Sequence, residues 1–406
     1  MEHSRKFGTT KTGVALAAML LAGTALALPA SAQEFADQGV TKDEIVIGTH
    51  QDLSGPIKGF GVPTANGMKL AVEEINANGG INGRKLKLVI EDSGYDPKRA
   101  VLASQKMIER DEVFAMVATL GSPTTLAPQD SVLEAGVFQL FPVTSAEFTW
   151  TMEKGRAQDR LKFAITLPYA DSIRATMKAL IEDKKLSKPC VMYQDDEFGK
   201  NVTDGFEAQI KAMNLKAAAV TSYKRGASDF SSQIAKMKSE GCDLVVLGTI
   251  IRETIGAMAE AKRLQWEPVS LGSAAANVVE VPMLGKEAVE GFYAAGLFAM
   301  PYADTATGKV KEWVEAYQKM FGSDPTTQVI YGYNGVMTFA HYAQLAGKEL
   351  NGKTMLEALE SGKGYQNIFG SAPIKFSQDD HLMSIPAQLQ QIQKGRWVVL
   401  KENLSF

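Results

Sequence analysis

The most restrictive feature of this chain is a regular alternation of short apolar runs with segments of helical periodicity. Runs of strand length at 44–50 and 85–91 are each followed by a segment with apolar residues at helical spacing. Four such alternations are complete by residue 141, and a second series of similar length begins after residue 161. Strands that alternate with helices form parallel sheets covered by helices on both faces. The pattern therefore predicts an α/β fold with two successive doubly wound units.

The chain beyond residue 291 departs from this alternation and mixes helices with short strands and turns. A tail of this length can cross back between the two units and join them by several segments. The boundary between two such sheets is a cleft, and clefts between domains are preferred sites for small ligands.

The first 32 residues have the composition of a secretory signal peptide. Arg5, Lys6 and Lys11 precede an apolar run of 15 residues at 14–28, and an Ala-Ser-Ala sequence ends at Ala32. The run is too short for a typical membrane span. We therefore expect cleavage after Ala32 and export to the periplasm.

Charge and motif content exclude several functional classes. The whole chain carries a formal charge of −3, and the first 32 residues contribute +2, so the remainder carries about −5. This acidic balance argues against a nucleic-acid partner. The histidines at 50, 341 and 381 lack metal-ligand spacing, and the Gly-x-Ser-x-Gly motif of many hydrolases is absent. We expect no metal, no cofactor and no catalysis.

One formal match to the P-loop pattern occurs at residues 347–354, Gly-Lys-Glu-Leu-Asn-Gly-Lys-Thr. A working P-loop follows a strand, because its amides must wrap a phosphate at the start of a helix. Here a helical segment precedes the motif, and Thr354 with Glu357 fits a capping box that opens the next helix. The context indicates a loop between two helices and not a nucleotide site.

An anion-binding helix start is predicted where the apolar run at 113–118 ends. Pro123 suits the first position of a helix, which makes Ser122 the predicted N-cap. The amides and hydroxyls of Thr124 and its neighbour then converge with the helix dipole on one point, which suits a carboxylate. The loop at 142–145 leaves the next strand at the same carboxyl edge. An ordinary helix cap accounts for the same residues equally well.

Two cysteines, Cys190 and Cys242, remain in an oxidising compartment. Each lies at the start of a predicted strand, and the first and third strands of a doubly wound unit are usually neighbours. A disulfide and two buried thiols are equally compatible with this placement.

Several stretches resemble one known family. They are Asp-Leu-Ser-Gly-Pro at 52–56, the Asn-Gly-Gly-Ile-Asn-Gly block at 78–83 and its continuation to residue 101, and the region around Ser122. They are similar to leucine/isoleucine/valine-binding periplasmic proteins of ABC importers, and the similarity covers essentially the whole chain after residue 32. The resemblance implies two α/β lobes joined by three crossovers that close on a ligand, with an ABC permease as partner. We expect a monomer with lobe 1 at 33–167 and 297–380, and lobe 2 at 168–296 and 381–406.

The resemblance also implies which residues contact the ligand. Ser122 and Thr124 at the helix start, with Val143 (through its backbone) and Ser145 in the next loop, correspond to the α-carboxylate site. The aromatic positions of the family correspond to Phe60, Phe198 and Ile250, so two tyrosines of amino-acid binders are replaced by phenylalanine and a third aromatic by isoleucine. The acidic residue that meets the ligand ammonium corresponds to Ala274, which cannot do so.

These departures leave two ligand classes open. The family favours a branched-chain or other apolar amino acid, with Asp52, Asp171 or Glu253 replacing the missing acid. The alanine at 274 favours an aromatic or aliphatic acid without an ammonium, because a buried ammonium without a partner is costly. An exported ligand-sensing module shares the fold and is a further alternative, and an exported hydrolase is disfavoured by the missing nucleophile motif.

Overall fold

The computed structural model describes residues 35–370 and 373–406. The predicted signal peptide at 1–32 lies outside the described residues. Within the described part of the chain, no helix combines the length and apolar character needed to cross a membrane.

The secondary structure follows the predicted alternation. The first series is β1 (Glu44–Gln51), α1 (Lys58–Ala77), β2 (Lys85–Asp92), α2 (Pro97–Glu109), β3 (Ala115–Val117), α3 (Ser122–Glu134), β4 (Phe138–Leu140) and β5 (Lys162–Thr166). The second is α4 (Tyr169–Lys184), β6 (Pro189–Gln194), α5 (Glu197–Ala212), β7 (Ala219–Tyr223), α6 (Ser231–Ser239), β8 (Leu244–Gly248), α7 (Arg252–Arg263), β9 (Val269–Gly272), α8 (Glu280–Gly285) and β10 (Tyr293–Gly296). The tail contains α9 (Gly308–Phe321), α10 (Thr327–Ala346), α11 (Gly352–Leu359), β11 (Leu382–Ser384), β12 (Ala387–Gln393) and β13 (Arg396–Leu404).

The first sheet has the strand order β11-β5-β4-β3-β1-β2, and all of its neighbouring pairs are parallel. Strand β1 is buried from Ile45 to Gln51, as expected for a strand covered by helices on both faces. The strand order reverses between β1 and β3. In open α/β sheets this reversal places a crevice at the carboxyl ends of the strands, where ligands bind.

The second sheet has the order β13-β12-β10-β9-β8-β6-β7. Strands β6 to β10 are parallel and reverse their order between β6 and β8. The edge differs from the predicted parallel sheet, because β12 pairs antiparallel with both β10 and β13. A two-residue turn makes this hairpin possible, since Lys394 and Gly395 both have positive φ, at 53° and 73°.

The chain crosses between the two sheets three times, as the resemblance implies. It passes to the second sheet after β5, returns before α9, and passes again between β11 and β12. Because Leu382–Ser384 pairs with β5, the predicted boundary of lobe 1 at residue 380 is a few residues too early. The other predicted limits of the lobes stay a proposal.

The tail helix α10 packs closely on α1 of the first lobe. Gly67 and Gly332 allow this approach, because a Cβ on either would collide with backbone atoms of the other helix. Helix α1 also starts earlier than the apolar pattern indicates and runs through Pro63. A proline removes one helical hydrogen bond, but the helix continues, and Phe60 is therefore presented from the first turn of α1.

The two cysteines form a disulfide, with Cα atoms 5.9 Å apart. The two strands concerned are neighbours, as the sequence suggested. Cys190 lies at the start of β6, which pairs directly with β8, and Cys242 lies just before β8. The bridge lies at the amino ends of these strands, at the edge of the sheet opposite the cleft.

The P-loop-like residues start directly after α10 and run into the first turn of α11, so the helix–loop–helix context is confirmed. The capping residue differs from the prediction. Asn351 is the N-cap, its side chain accepts from the Thr354 amide at 3.1 Å, and the Thr354 hydroxyl accepts from the Asn351 amide at 2.9 Å.

Candidate functional site

A cleft lies where the carboxyl ends of strands from both sheets meet. It has two continuous parts, which share Phe60, Val143, Tyr169 and Ala275. The Ser122 end is lined further by Ile57, Tyr95, Leu120, Gly121, Ser122, Phe198 and Ile250, around a cavity of about 30 Å³. The Asn334 end is lined further by Phe141, Pro142, Thr144, Ser145, Ile165, Thr166, Ala274, Leu297, Phe298, Tyr331, Asn334 and Gly335, around a cavity of about 50 Å³.

Seven of the eight predicted site residues line this cleft. They are Ser122, Val143, Ser145, Phe60, Phe198, Ile250 and Ala274. Thr124 does not line it, because its hydroxyl points back along the helix and donates to the carbonyls of Leu120 and Gly121. Only the backbone amide of Thr124 remains for the predicted role at the helix start.

Ser122 is the first residue of α3 and not its N-cap, which corrects the prediction. Gly121 is the cap residue, with φ of 92°, a conformation that favours glycine. A Cβ at this position would also collide with the Tyr95 ring. The Ser122 hydroxyl is therefore free of a capping role, and it lies 2.6 Å from the Thr144 hydroxyl.

The backbone of Val143 pairs between the two strand-exit loops. Its amide donates to the Thr119 carbonyl at 2.7 Å, and its carbonyl accepts from the Gly121 amide at 3.2 Å. The predicted backbone contact of Val143 with the ligand stays a prediction, and the carbonyl oxygen keeps a second lone pair for it. The Ser145 hydroxyl lies 2.5 Å from the Thr166 hydroxyl.

The hydroxyl of Tyr169 belongs to the same cluster of hydroxyl groups, and it was not identified from the sequence. Burial raises the pKa of Tyr169 to about 12, while interactions with Thr144, the Ser145 backbone and Ser122 oppose the rise. The phenol is therefore protonated at neutral pH and can donate a hydrogen bond. Tyr169 follows the exit of β5, so the strand-exit rule applied to a third strand would have found it.

Aromatic rings form the walls of the cleft. Phe198 meets Tyr169 edge-on, with ring centroids 5.0 Å apart, and Phe60 lies parallel to Tyr331 at 6.2 Å. Tyr331 also contacts Phe298. Tyr331 and Asn334 come from α10 in the tail, far along the chain from strands β1 to β5 of the same lobe, and no local pattern in the sequence indicates that they reach the cleft.

No charged side chain lines the cleft, among the residues that the structure describes. The three acids considered as replacements at the ammonium position lie elsewhere. Asp52 is fully buried and accepts from the amides of Gly55 and Ile57 at 2.5 and 2.7 Å. Glu253 is buried and pairs with Arg252 at 3.1 Å, and Asp171 is half-buried on α4. None of the three is placed to meet a ligand ammonium.

A polar contact joins the two lobes beside the Ser122 end. Gln194, from the second lobe, donates to the hydroxyl of Tyr95, from the first, at 3.3 Å. Arg225 donates to the Tyr95 carbonyl at 3.4 Å and pairs with Asp196 at 3.3 Å. Burial raises the pKa of Tyr95 well above its ordinary value, and the charge of Asp196 adds to the rise. Tyr95 therefore stays protonated and neutral.

The comparisons with known proteins agree with this architecture. A family model described as periplasmic binding protein matches residues 44–396. The Leu/Ile/Val-binding protein homolog 7 of Brucella suis is 27% identical over 359 residues, covering 86% of this chain and 81% of that protein. The leucine-, isoleucine-, valine-, threonine- and alanine-binding protein of Pseudomonas aeruginosa is 26% identical, covering 88% and 90%.

A solved structure also shares the fold. The solute-binding protein of an ABC transporter from R. palustris, solved in complex with benzoate, superposes with a TM-score of 0.78 at 17% identity, covering 89% of this chain and 96% of that one. The family match spans most of the chain and agrees with the two-sheet topology. The chain therefore belongs to the periplasmic binding protein family.

Proposed function

We propose that this protein is the periplasmic substrate-binding component of an ABC importer, and that its ligand is a small apolar carboxylic acid without an ammonium group. It captures the ligand between its lobes, as a monomer and without catalysis, and delivers it to a membrane permease. The observation that carries the ligand class is a cleft lined by hydroxyl groups and aromatic rings, with no charged side chain among the described residues.

The carboxylate would lie at the Ser122 end. Ser122, Thr144 and Tyr169 bring three hydroxyl groups together beside the start of α3. The first amides of a helix have no partner within the helix, and its dipole favours an anion there. Hydrogen bonds to an ionised carboxylate are about twice as strong as neutral ones. These hydroxyl and amide donors can replace the hydrogen bonds to water that the carboxylate loses on binding, without a lysine or an arginine.

The remainder of the ligand would lie against the rings of Phe60, Phe198 and Tyr331. Flat rings with apolar neighbours suit an aromatic or aliphatic body. An α-ammonium would be left in this space without an anionic partner, which costs several kcal/mol. For this reason the proposal departs from the amino-acid ligand that the family resemblance favours.

A branched-chain amino acid is the second candidate, because the relatives in Brucella and Pseudomonas carry such ligands in their names. The structure from R. palustris holds benzoate, which belongs to the first class. A thermal-shift screen of amino acids against aromatic and aliphatic acids separates the candidates. A ligand at 100 times its Kd stabilises the folded protein by about 2.7 kcal/mol. Stabilisation by amino acids alone would contradict the proposed ligand class.

A further inference from the structure

Asn334 presents an unpaired amide oxygen at the cleft. Its side chain is only 4% exposed, and its Oδ1 atom has no hydrogen-bond partner among the described residues. Leaving such a group buried and unpaired is costly, and most buried polar groups are paired. The amide therefore needs a partner, and the space that it faces is the ligand cleft.

The helix that carries Asn334 is held firmly. Gly332 packs against α1 with no space for a side chain, and at Gly335 an added Cβ would lie 3.2 Å from the Cβ of Ala118. These two close contacts flank Asn334 on both sides along α10. A rigid, pre-positioned amide discriminates between ligands more sharply than a mobile one, because little side-chain freedom is lost on binding.

Asn334 and Ser122 line different parts of the cleft. Asn334 lines only the Asn334 end, Ser122 lines only the Ser122 end, and four shared residues connect the two parts. A ligand whose carboxylate lies beside Ser122 therefore directs its far end toward Asn334. Of the other residues at this end, Phe141, Leu297 and Phe298 are apolar. The hydroxyl groups of Ser145 and Thr166 pair with each other, and that of Thr144 pairs with Ser122.

We propose that Asn334 is a specificity residue that recognises a hydroxyl group at the end of the ligand opposite its carboxylate. A hydroxyl can donate to the amide oxygen and accept from the amide nitrogen. A site built to bind a hydroxyl disfavours the analogue that lacks it, because the protein amide is then left unpaired. This inference rests on the proposed function and narrows its ligand to a hydroxylated apolar acid.

The test uses two ligand pairs that differ by one hydroxyl: benzoate with 4-hydroxybenzoate, and 3-phenylpropanoate with 3-(4-hydroxyphenyl)propanoate. Calorimetric titration should show about tenfold tighter binding of the hydroxylated member in at least one pair, the difference for one hydrogen bond in a buried site. In Asn334→Leu the ratio of the two affinities within the pair should fall to about one, and the acid without the hydroxyl should still bind. If Asn334→Leu does not fold, Asn334→Ala serves, since the readout is the ratio within a pair.

Thr338→Val is the matched control. Thr338 lies one turn further along α10, is fully buried with an unpaired hydroxyl among the described residues, and does not line the cleft. This variant should keep the preference of the wild type. Equal binding within both pairs, or a preference that survives in Asn334→Leu, would overturn the role of Asn334 and leave the proposed function intact. Failure of all four acids to bind would overturn the role of Asn334 and, with it, the aromatic form of the proposed ligand.

Discussion

The guanidinium of Arg225 lies 5.3 Å from the centroid of the Tyr95 ring, and the two residues belong to different lobes. Tyr95 adopts a left-handed backbone conformation, with φ of 56°, and lines the Ser122 end of the cleft. Such conformations cost about 1–3 kcal/mol and persist only where surrounding contacts maintain them. The pair connects lobe 2 to the wall of the Ser122 end. We therefore expect it to stabilise a closed arrangement of the two lobes and not either lobe alone.

Replacing Arg225 by Ala should weaken ligand binding by about 1–2 kcal/mol, because a cation–π contact and a hydrogen bond that exist only in the closed arrangement are lost. Calorimetry measures the affinity, and small-angle scattering measures the radius of gyration without ligand, which should increase. Arg263→Ala is the control, since Arg263 is exposed on α7 and pairs with Glu260 in its own lobe. Unchanged affinity in Arg225→Ala would show that the pair does not contribute to closure.

Replacing Ser122 by Ala should weaken binding of the carboxylate by about 1–3 kcal/mol, because the ligand loses a hydrogen bond to its charged group. Stability without ligand should change little, because Gly121 and not Ser122 caps the helix. The matched control is Ser131→Ala, an exposed serine near the other end of α3. Equal losses of affinity in both variants would argue against a direct contact between Ser122 and the ligand.

Reduction of the Cys190–Cys242 disulfide should lower the free energy of unfolding by about 2–4 kcal/mol, because the bridge restricts the unfolded chain. Urea unfolding with and without reductant measures this change, and intact mass confirms the redox state, because reduction adds two hydrogen atoms. Ligand affinity should not change, since the bridge lies at the amino ends of β6 and β8, away from the cleft. A large loss of affinity after reduction would mean that the disulfide positions lobe 2 for closure.

The buried His50 predicts a loss of stability in mild acid. Burial lowers the pKa of His50 from 6.5 to about 4, and neither ring nitrogen has a partner among the described residues. The unfolded chain therefore binds a proton more readily between these two values, and the free energy of unfolding should decrease as the pH falls through that window. Between pH 7 and pH 5 the decrease from this group is about 2 kcal/mol.

His50→Leu tests this assignment. Urea unfolding at pH 7 and pH 5 should give a decrease smaller by about 2 kcal/mol in the variant than in the wild type. The histidines at 341 and 381, whose pKa values burial also lowers, are present in both proteins and cancel in the comparison. Identical pH dependence in the two proteins would show that His50 does not titrate in this window.

The sequence predicted the sheets well because the strands of a doubly wound lobe are buried on both faces. Continuous apolar runs followed by helical periodicity identify such strands without tertiary information. The antiparallel hairpin at the edge of the second sheet was less visible, because β13, from Arg396 to Leu404, is mostly exposed or half-buried and lacks a continuous apolar run.

The candidate site was predictable from two sources. Ser122 and Ser145 were located because carboxyl ends of parallel strands share one edge. Phe60, like the other aromatic positions, was located by the family resemblance. The hydrogen bonds within the site could not be predicted, since they depend on which loop supplies each donor and acceptor. Gly121 replaced Ser122 as the cap, and the Val143 amide was consumed between loops. Tyr331 and Asn334 depend on the return of α10 to lobe 1, which no local pattern indicates.

The most direct test of the central claim compares phenylalanine with 3-phenylpropanoate, which lacks only the α-ammonium. The same comparison is made between leucine and 4-methylpentanoate, and calorimetric titration of the purified protein gives the four affinities. The account predicts that within each pair the acid without an ammonium binds at least about 100-fold more tightly, since burying an unpaired ammonium costs several kcal/mol. Tighter binding of leucine or phenylalanine would contradict it and restore the amino-acid assignment.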